Sequence, residues 1–438
     1  MATSASGSGE AGIDGVGPGA HCGWMSTVER RRYLIVGGGL AAARAVEGIR
    51  EVDPAGEIVL VTEEDHLPYE RPPLSKDVLL GKAGVDTAFP HEPAWYAEQE
   101  VELVLGDPVA SLDAAGRTAT LRGGTTLGWT HALLATGSAV RRLDLPGADL
   151  PGIHYLRTLD DSLALLDRLR DGGRVVVVGG GWIGLEVAAA ARSHGGGVTL
   201  IEPQDAPLQG VVGERIGSWF ARWHDRHGVQ LRLGTGVAAF TGDDRVTGVV
   251  TGSGDTVPAD VVVVGVGIRP RTELAEAAGA RVDNGIVTDA ALRTSLDGVW
   301  AAGDVASWES RTFGRHLRVE HWANALDGGL AAGRSMAGAE TTYDPVPFFF
   351  SDQYEAGLEY AGFVARDADA ELVVRGDEQG SEFMAFWVVP AEGGVRLLAG
   401  MHVNVWDTMD AVQSLIRART AVSRDRLADP SVPLDDLA

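Results

Sequence analysis

The most strongly patterned stretch of the chain is residues 174–190, RVVVVGGGWIGLEVAAA, which opens with four consecutive valines. β-Branched residues favour strands, and an apolar run without polar alternation suits a parallel strand buried on both faces. Gly179, Gly181 and Gly184 follow, and then a helical run over 185–192. The pattern recurs upstream, where Leu34, Ile35 and Val36 lead into Gly37-x-Gly39-x-x-Ala42 and another helical run. In each copy a second apolar strand closes on an acid: residues 58–61 before Glu63, and residues 198–201 before Glu202. Each copy then passes through what reads as a meander of short strands, 107–127 and 225–254. Each returns to a buried apolar strand, 133–138 and 260–267. Repetition in this order predicts duplication of one binding unit.

The glycine spacing has a physical meaning. The first Gly makes a tight turn, the second lets backbone approach a pyrophosphate, and the third lets helix and strand pack closely, with Ala tolerated there. The phosphates then sit at a helix N-terminus, where free N–H groups favour an anion. The acid closing the second strand accepts ribose hydroxyls of NAD or FAD. Two complete units predict two dinucleotide sites; the plainer alternative is Gly-rich turns in an ordinary sheet. Glu186, two residues after the last Gly, is read as lying in the first turn of its helix. Residues 298–304 form a strand ending in Gly303-Asp304, where the Asp can take a ribitol hydroxyl of FAD, and a helix begins within 319–325.

From about residue 343 the pattern becomes alternating, with strands at 371–375, 383–389 and 396–405 and a last helix at 408–420. Trp387, Met401 and Trp406 are expected in the core of that part. The expected organisation is therefore α/β. Residues 1–28 form a disordered Gly/Ser/Ala extension, with Met25 an alternative start; 29–142 are the first part of one nucleotide domain. Residues 143–268 are the second, entered through a linker with Pro146, Gly147, Pro151 and Gly152. Residues 269–342 return to the first domain, and 343–438 are an α+β domain.

Composition narrows the chemistry. A length of 438 residues suits about three domains. A net charge of −24 argues against nucleic acid as a partner, and no apolar run approaches the ~18 residues of a membrane span. There is one cysteine, Cys22. That excludes a redox-active cysteine pair, a cysteine-ligated cluster and an internal disulfide, so electrons must leave for a separate acceptor. Lack of disulfides and of a signal peptide points to the cytoplasm. His316, His321 and His402 have no metal-ligand spacing, and no metal is expected.

The motifs ERPPLSK (70–76), LLATGS (133–138), HYLRTLDD (154–161), GGGWIGLEVAA (179–189), VDNGIVTD (282–289), AAGDVA (301–306), EHWANAL (320–326) and FFSDQY (349–354) stand in one order. As a set they resemble the FAD-dependent, NADH-dependent ferredoxin reductases that serve oxygenases, with the apoptosis-inducing factor proteins as more distant relatives. The resemblance covers essentially everything after the extension. It implies a glutathione-reductase-like FAD/NAD(P)-binding fold: two Rossmann-like domains, 29–142 with 269–342 for FAD and 143–268 for NAD, and a C-terminal α+β domain. By this resemblance FAD contacts Gly37, Gly39, Ala41, Ala42, Glu63, Arg71, Lys76, Val109, Thr136, Gly137, Arg157, Gly303, Asp304, Glu320, Trp322 and Phe350. NAD contacts Gly179, Gly181, Ile183, Gly184, Glu186, Glu202 and Gly267. The family usually carries Trp before Ser-Asp-Gln; here Phe350 stands there, which keeps a flat ring and loses the indole.

The resemblance further implies Lys76 and Glu186 as the catalytic pair. A cation near the flavin stabilises its electron-rich reduced form, and in a desolvated pocket the cation needs a counter-ion. The plainer alternatives are an exposed lysine, an acid that only favours a helix dipole, and aromatic residues at 322 and 348–350 that are core. The implied acceptor is a two-iron ferredoxin or rubredoxin feeding a haem or non-haem oxygenase. The alternatives are an NADH oxidase or quinone-type reductase, and a redox-sensing NADH-binding flavoprotein. The chain is expected to be a monomer or a weak homodimer. Arg311, Arg315, His316 and Arg318 form a basic cluster in an acidic chain and are the expected docking face for an acidic ferredoxin.

Glu202 generates a prediction about cofactor choice. A carboxylate there accepts from the 2′- and 3′-hydroxyls of NADH, whereas the 2′-phosphate of NADPH meets a like charge costing on the order of several kcal/mol when poorly solvated. The next basic residue is Arg215. Steady-state kinetics should give NADH a kcat/KM advantage of roughly a hundredfold or more, equivalent to about 2.7 kcal/mol, and Glu202→Arg should erode it. Equal values for the two nucleotides in the wild type would remove Glu202 from the ribose.

Overall fold

The structure, a computed structural model, describes residues 31–437. The expected extension, Cys22 and Met25 lie outside the described residues. Two five-stranded parallel sheets carry the repeated pattern. The first runs Val299–Ala301, His131–Leu134, Arg32–Val36, Glu57–Val61, Val101–Val104 in spatial order, and the second runs Ile153–His154, Val261–Val264, Arg174–Val178, Gly197–Glu202, Gln230–Leu233. Their centres superpose in logic: Ile35 sits between Leu60 and Leu133, and Val177 between Leu200 and Val263. These six side chains are buried, as strands covered on both faces require.

The strand Gln230–Leu233 corrects one expectation. It pairs in parallel with Gly197–Glu202, and the helix before it, Gln209–Arg226, extends into the stretch read as a meander. The meander proper is Val237–Thr241, Gly248–Thr251 and Thr256–Pro258. Gln230–Leu233 is an edge strand, half covered, so its alternation imitates an antiparallel ribbon. The chain crosses from one parallel sheet to the other along Ser138–Val140 and returns along Ile268–Pro270, and these two segments pair antiparallel.

The last part is a five-stranded antiparallel sheet in the order Phe348–Gln353, Ala356–Gly362, Gly394–Val403, Glu382–Ala391, Glu371–Asp377. Helix Met409–Ala418 buries Met409, Val412, Leu415 and Ile416 against it. Trp387 and Met401 are core, but Trp406 is not: it is 53% exposed, in the turn after the last strand, and packs edge-on to His402.

Helix Leu40–Val52 and helix Trp322–Met336 cross almost backbone to backbone, which small residues alone permit. A Cβ on Gly329 would stand 2.3 Å from the carbonyl oxygen of Ala41, and one on Gly333 would stand 2.2 Å from that of Ala45. Gly333→Ala should therefore force the helices apart and cost about 1–3 kcal/mol in chemical denaturation. Gly236→Ala, where nothing lies within 4 Å of the new Cβ, should stay within about 0.5 kcal/mol of wild type. Equal stabilities for the two variants would contradict the close crossing.

Candidate functional site

Where the two parallel sheets and the antiparallel sheet meet there is a cavity of about 880 Å³. Its floor is made by the two glycine turns. Gly37 has φ +133°, and a Cβ there would lie 2.1 Å from the carbonyl oxygen of Ala135; Gly179 has φ +105° and the same problem at 2.3 Å with Gly265. Only glycine adopts such backbone at such proximity. Gly39 and Gly181 cap helices Leu40–Val52 and Trp182–Ser193 without a side-chain cap bond, and a Cβ on either would have nothing within 4 Å. The helix N-termini thus open on free space, the arrangement that takes a phosphate. Gly184 packs against Gly179 and Ala42 is fully buried, so the third position of each turn sets helix-to-strand distance.

The two strand-end acids are held differently. Glu63 lies at the cavity wall and accepts from Arg271 at 2.5 Å and Arg122 at 3.2 Å. The Arg271 guanidinium holds its carboxyl below the usual range. Glu202 accepts instead from the backbone N–H of Gly180 at 2.6 Å and of Gln204 at 3.0 Å, and is 9% exposed.

A polar wall faces the floor. Arg157 bonds Asp304 at 2.9 Å and the carbonyl of Ser138 at 3.0 Å, and burial pulls its guanidinium below its ordinary value. Arg71 donates to the carbonyl of Arg157 and pairs with Glu64 at 3.5 Å, while Tyr69 donates to Glu64 at 2.5 Å. Arg318 joins Glu320 at 2.6 Å to the carbonyl of Asp304 at 3.2 Å. Burial raises the Glu320 carboxyl. The Trp322 indole N–H donates to Glu70 at 2.9 Å. Two buried polar atoms on the wall, Ser138 Oγ and His321 Nδ1, have no partner among the described residues, and desolvation lowers the His321 ring to about 4. Open glycine cradles and unpartnered polar atoms facing the same space fit a large polar ligand with phosphates.

At the centre stands an ion pair. Lys76 Nζ lies 2.7 Å from Glu186 Oε1, on side chains 14% and 3% exposed. Glu186 also accepts from Ser75 at 2.5 Å and Ser351 at 2.6 Å. Lys76 Nζ stands 5.2 Å over the Phe350 ring, which meets Trp322 edge-on at 6.0 Å. Glu186 is the fifth residue of its helix, and the first turn holds no acid. This corrects its placement in the first turn: it sits one turn further in, aimed at Lys76 rather than at the helix end.

Of the residues singled out from the sequence, Gly37, Gly39, Ala41, Glu63, Arg71, Lys76, Val109, Thr136, Gly137, Arg157, Gly181, Ile183, Gly184, Glu186, Gly267, Gly303, Asp304, Glu320, Trp322 and Phe350 line this one cavity. Ala42, Gly179 and Glu202 are not among its lining residues. Sequence reasoning missed Glu64, Ser75, Ser351, Arg122 and Arg271. Ser75 and Ser351 stand inside motifs already quoted, so small hydroxyls beside the catalytic candidates were a usable signal. Arg122 and Arg271 reach Glu63 from 59 and 208 positions away, and no local pattern announces that.

Comparison with known proteins agrees with this architecture. Residues 31–329 match the pyridine nucleotide-disulphide oxidoreductase family and residues 348–438 match the reductase C-terminal family. The chain is 40% identical over 405 residues to the anthranilate 1,2-dioxygenase system ferredoxin–NAD(+) reductase component of Burkholderia cepacia, covering 92% of this chain and 98% of that one. It is 37% identical to rhodocoxin reductase of Rhodococcus erythropolis, covering 92% and 93%. Among solved structures, the covalent putidaredoxin reductase–putidaredoxin complex matches with TM-score 0.88 and 34% identity over 93% of this chain and 97% of that one. The ferredoxin reductase for the CYP199A2 system of Rhodopseudomonas palustris matches with TM-score 0.87 and 36% identity over 93% and 99%. The chain belongs to the pyridine nucleotide-disulphide oxidoreductase family, among the FAD- and NAD-binding ferredoxin–NAD(+) reductases of oxygenase systems.

Proposed function

We propose that this protein oxidises NADH and delivers the electrons one at a time, through FAD, to a two-iron ferredoxin or rubredoxin that feeds an oxygenase. The observation that carries the reading is the Lys76–Glu186 pair, buried at the junction of two dinucleotide cradles. Bound FAD supplies the step neither nucleotide nor protein can perform, taking a hydride as an electron pair and releasing electrons singly. The chain's residues do the rest. The N-terminus of helix Leu40–Val52, with Arg157 and Asp304, would hold FAD; the N-terminus of helix Trp182–Ser193 and Glu202 would hold NAD. Lys76 would place a fixed cation beside the flavin ring, and Glu186 would keep that cation in place where water is excluded. Phe350 and Trp322 would pack against the ring as flat apolar surfaces. No proton donor or acceptor is required for hydride transfer itself.

The family name mentions disulphides, but the chain's single cysteine, Cys22, cannot form the redox pair that chemistry needs. We place the reaction in the cytoplasm, a reading supported by the near absence of cysteine. Among the described residues no helix is long and apolar enough to cross a membrane.

Lys76→Met should retain FAD and slow anaerobic flavin reduction by NADH at least about tenfold in stopped flow, the loss expected of one electrostatic contact stronger in the transition state. A wild-type rate would take Lys76 out of the mechanism. For the acceptor, the hairpin that carries Arg311, Arg315 and His316 is exposed, whereas Arg318 is engaged with Glu320 and the Asp304 carbonyl. Arg315 also faces Asp367 at 3.5 Å. Arg311→Glu should raise the apparent KM for an acidic two-iron ferredoxin and leave NADH kinetics unchanged, and ferredoxin turnover should weaken as salt rises. Turnover indifferent to salt would move the docking face elsewhere.

A further inference from the structure

Beyond the Lys76–Glu186 pair runs a line of buried polar side chains that the mechanism above leaves unused. Ser351 and Gln353 lie two apart on strand Phe348–Gln353, so they share a face, and each is 1% exposed. His224, on helix Gln209–Arg226, is fully buried. Their bonds have a direction. Glu186 can only accept, so Ser351 donates its hydroxyl proton to Oε1 at 2.6 Å. The Ser351 oxygen is then free to accept, and Gln353 Nε2 donates to it at 3.2 Å. The Gln353 amide oxygen faces His224 Nε2 at 2.9 Å, which requires the imidazole proton to be on Nε2. His224 Nδ1 is left as an acceptor, and the Tyr354 hydroxyl points at it from 3.4 Å.

We infer that His224, Gln353 and Ser351 are positioning residues for flavin reduction: a one-way chain of donors, anchored in the second nucleotide-binding unit, that fixes the Glu186 carboxylate and through it Lys76. Every donor points toward the carboxylate, so each bond polarises the next and the whole favours the anion. A proton wire is the other use of such a row, and the amide of Gln353 makes a poor link in one, because it would have to pass through an imidic acid. The groups facing His224 are Gln353, Tyr354 and His227, none of them a cation-stabilising carboxylate. Desolvation lowers the ring to about 4, so it is neutral and its Nδ1 is free to accept from Tyr354.

The inference deepens the proposed NADH-dependent flavin reduction and rests on it for its catalytic consequence. Three variants test it in the full-length, FAD-loaded protein: Ser351→Ala removes the last donor, His224→Leu removes the first, and His224→Gln keeps an N–H where Nε2 stood. Anaerobic stopped flow should show the limiting rate of flavin reduction falling about five- to tenfold in Ser351→Ala and His224→Leu. The NADH dissociation constant should stay unchanged, and His224→Gln should recover most of the rate. A second readout needs no turnover. In the protein labelled with ¹⁵N-histidine, His224, assigned by its loss in His224→Gln, should show its proton on Nε2 and remain neutral at pH 6. Wild-type rates in both donor-deleting variants would overturn the inference. So would equal losses in His224→Leu and His224→Gln, which would mean packing alone, or a His224 proton on Nδ1. A wild-type protein whose flavin NADH does not reduce would refute the functional reading instead, and the imidazole signals would still decide the chain.

Discussion

A carboxylate with 4% of its surface exposed is tolerable only if its charge is met on the spot, and in this protein Glu186 is that carboxylate. Glu186 and its partners come from three separate parts of the chain. Lys76 and Ser75 lie in and beside the proline-stiffened turn Pro72–Ser75 of the first nucleotide-binding unit. Glu186 belongs to the second, and Ser351 to the antiparallel sheet. Removing any one partner leaves a buried charge under-satisfied, so the pair specifies how the three parts assemble. The cavity lies at this assembly point, with the ion pair at its centre and the glycine turns as its floor.

The two copies of the repeated unit hold their strand-end acids differently. Glu63 is at the cavity wall, 44% exposed along its side chain, and is tied to two arginines drawn from distant segments. Glu202 is buried and tied to two backbone N–H groups. An acid held by backbone cannot swing away, and none of its bonds comes from a basic side chain. On the proposed function, a carboxylate so fixed would accept from ribose hydroxyls and oppose a phosphate in their place.

Much of this was legible before the structure. Both parallel sheets are announced by unbroken apolar runs, β-branched throughout only in 175–178, both turns by glycine spacing, and the composite cavity by motifs in a fixed order. What escaped did so for physical reasons. The edge strand Gln230–Leu233 alternates because one side is uncovered, and alternation read alone points to an antiparallel ribbon. Trp406 was expected in a core because it is large and apolar, yet the turn after Val403 carries it outward. Counting from the last glycine puts Glu186 in the first turn, whereas its helix begins two residues earlier than that glycine, at Trp182. The hydroxyls around Glu186 and the arginines on Glu63 were missed because such contacts depend on tertiary approach, which no periodicity encodes.

On the proposed function, the fold turns one hydride into two single electrons for an iron–sulfur protein. The most direct measurement is an electron count. FAD-loaded protein is mixed anaerobically with one equivalent of NADH and an excess of oxidised two-iron ferredoxin, and the reduced ferredoxin is quantified from its absorbance. Two ferredoxins should be reduced for each NADH consumed, with flavin returned to its oxidised form. NADH oxidised without ferredoxin reduction, with the electrons recovered as hydrogen peroxide once oxygen is admitted, would contradict it.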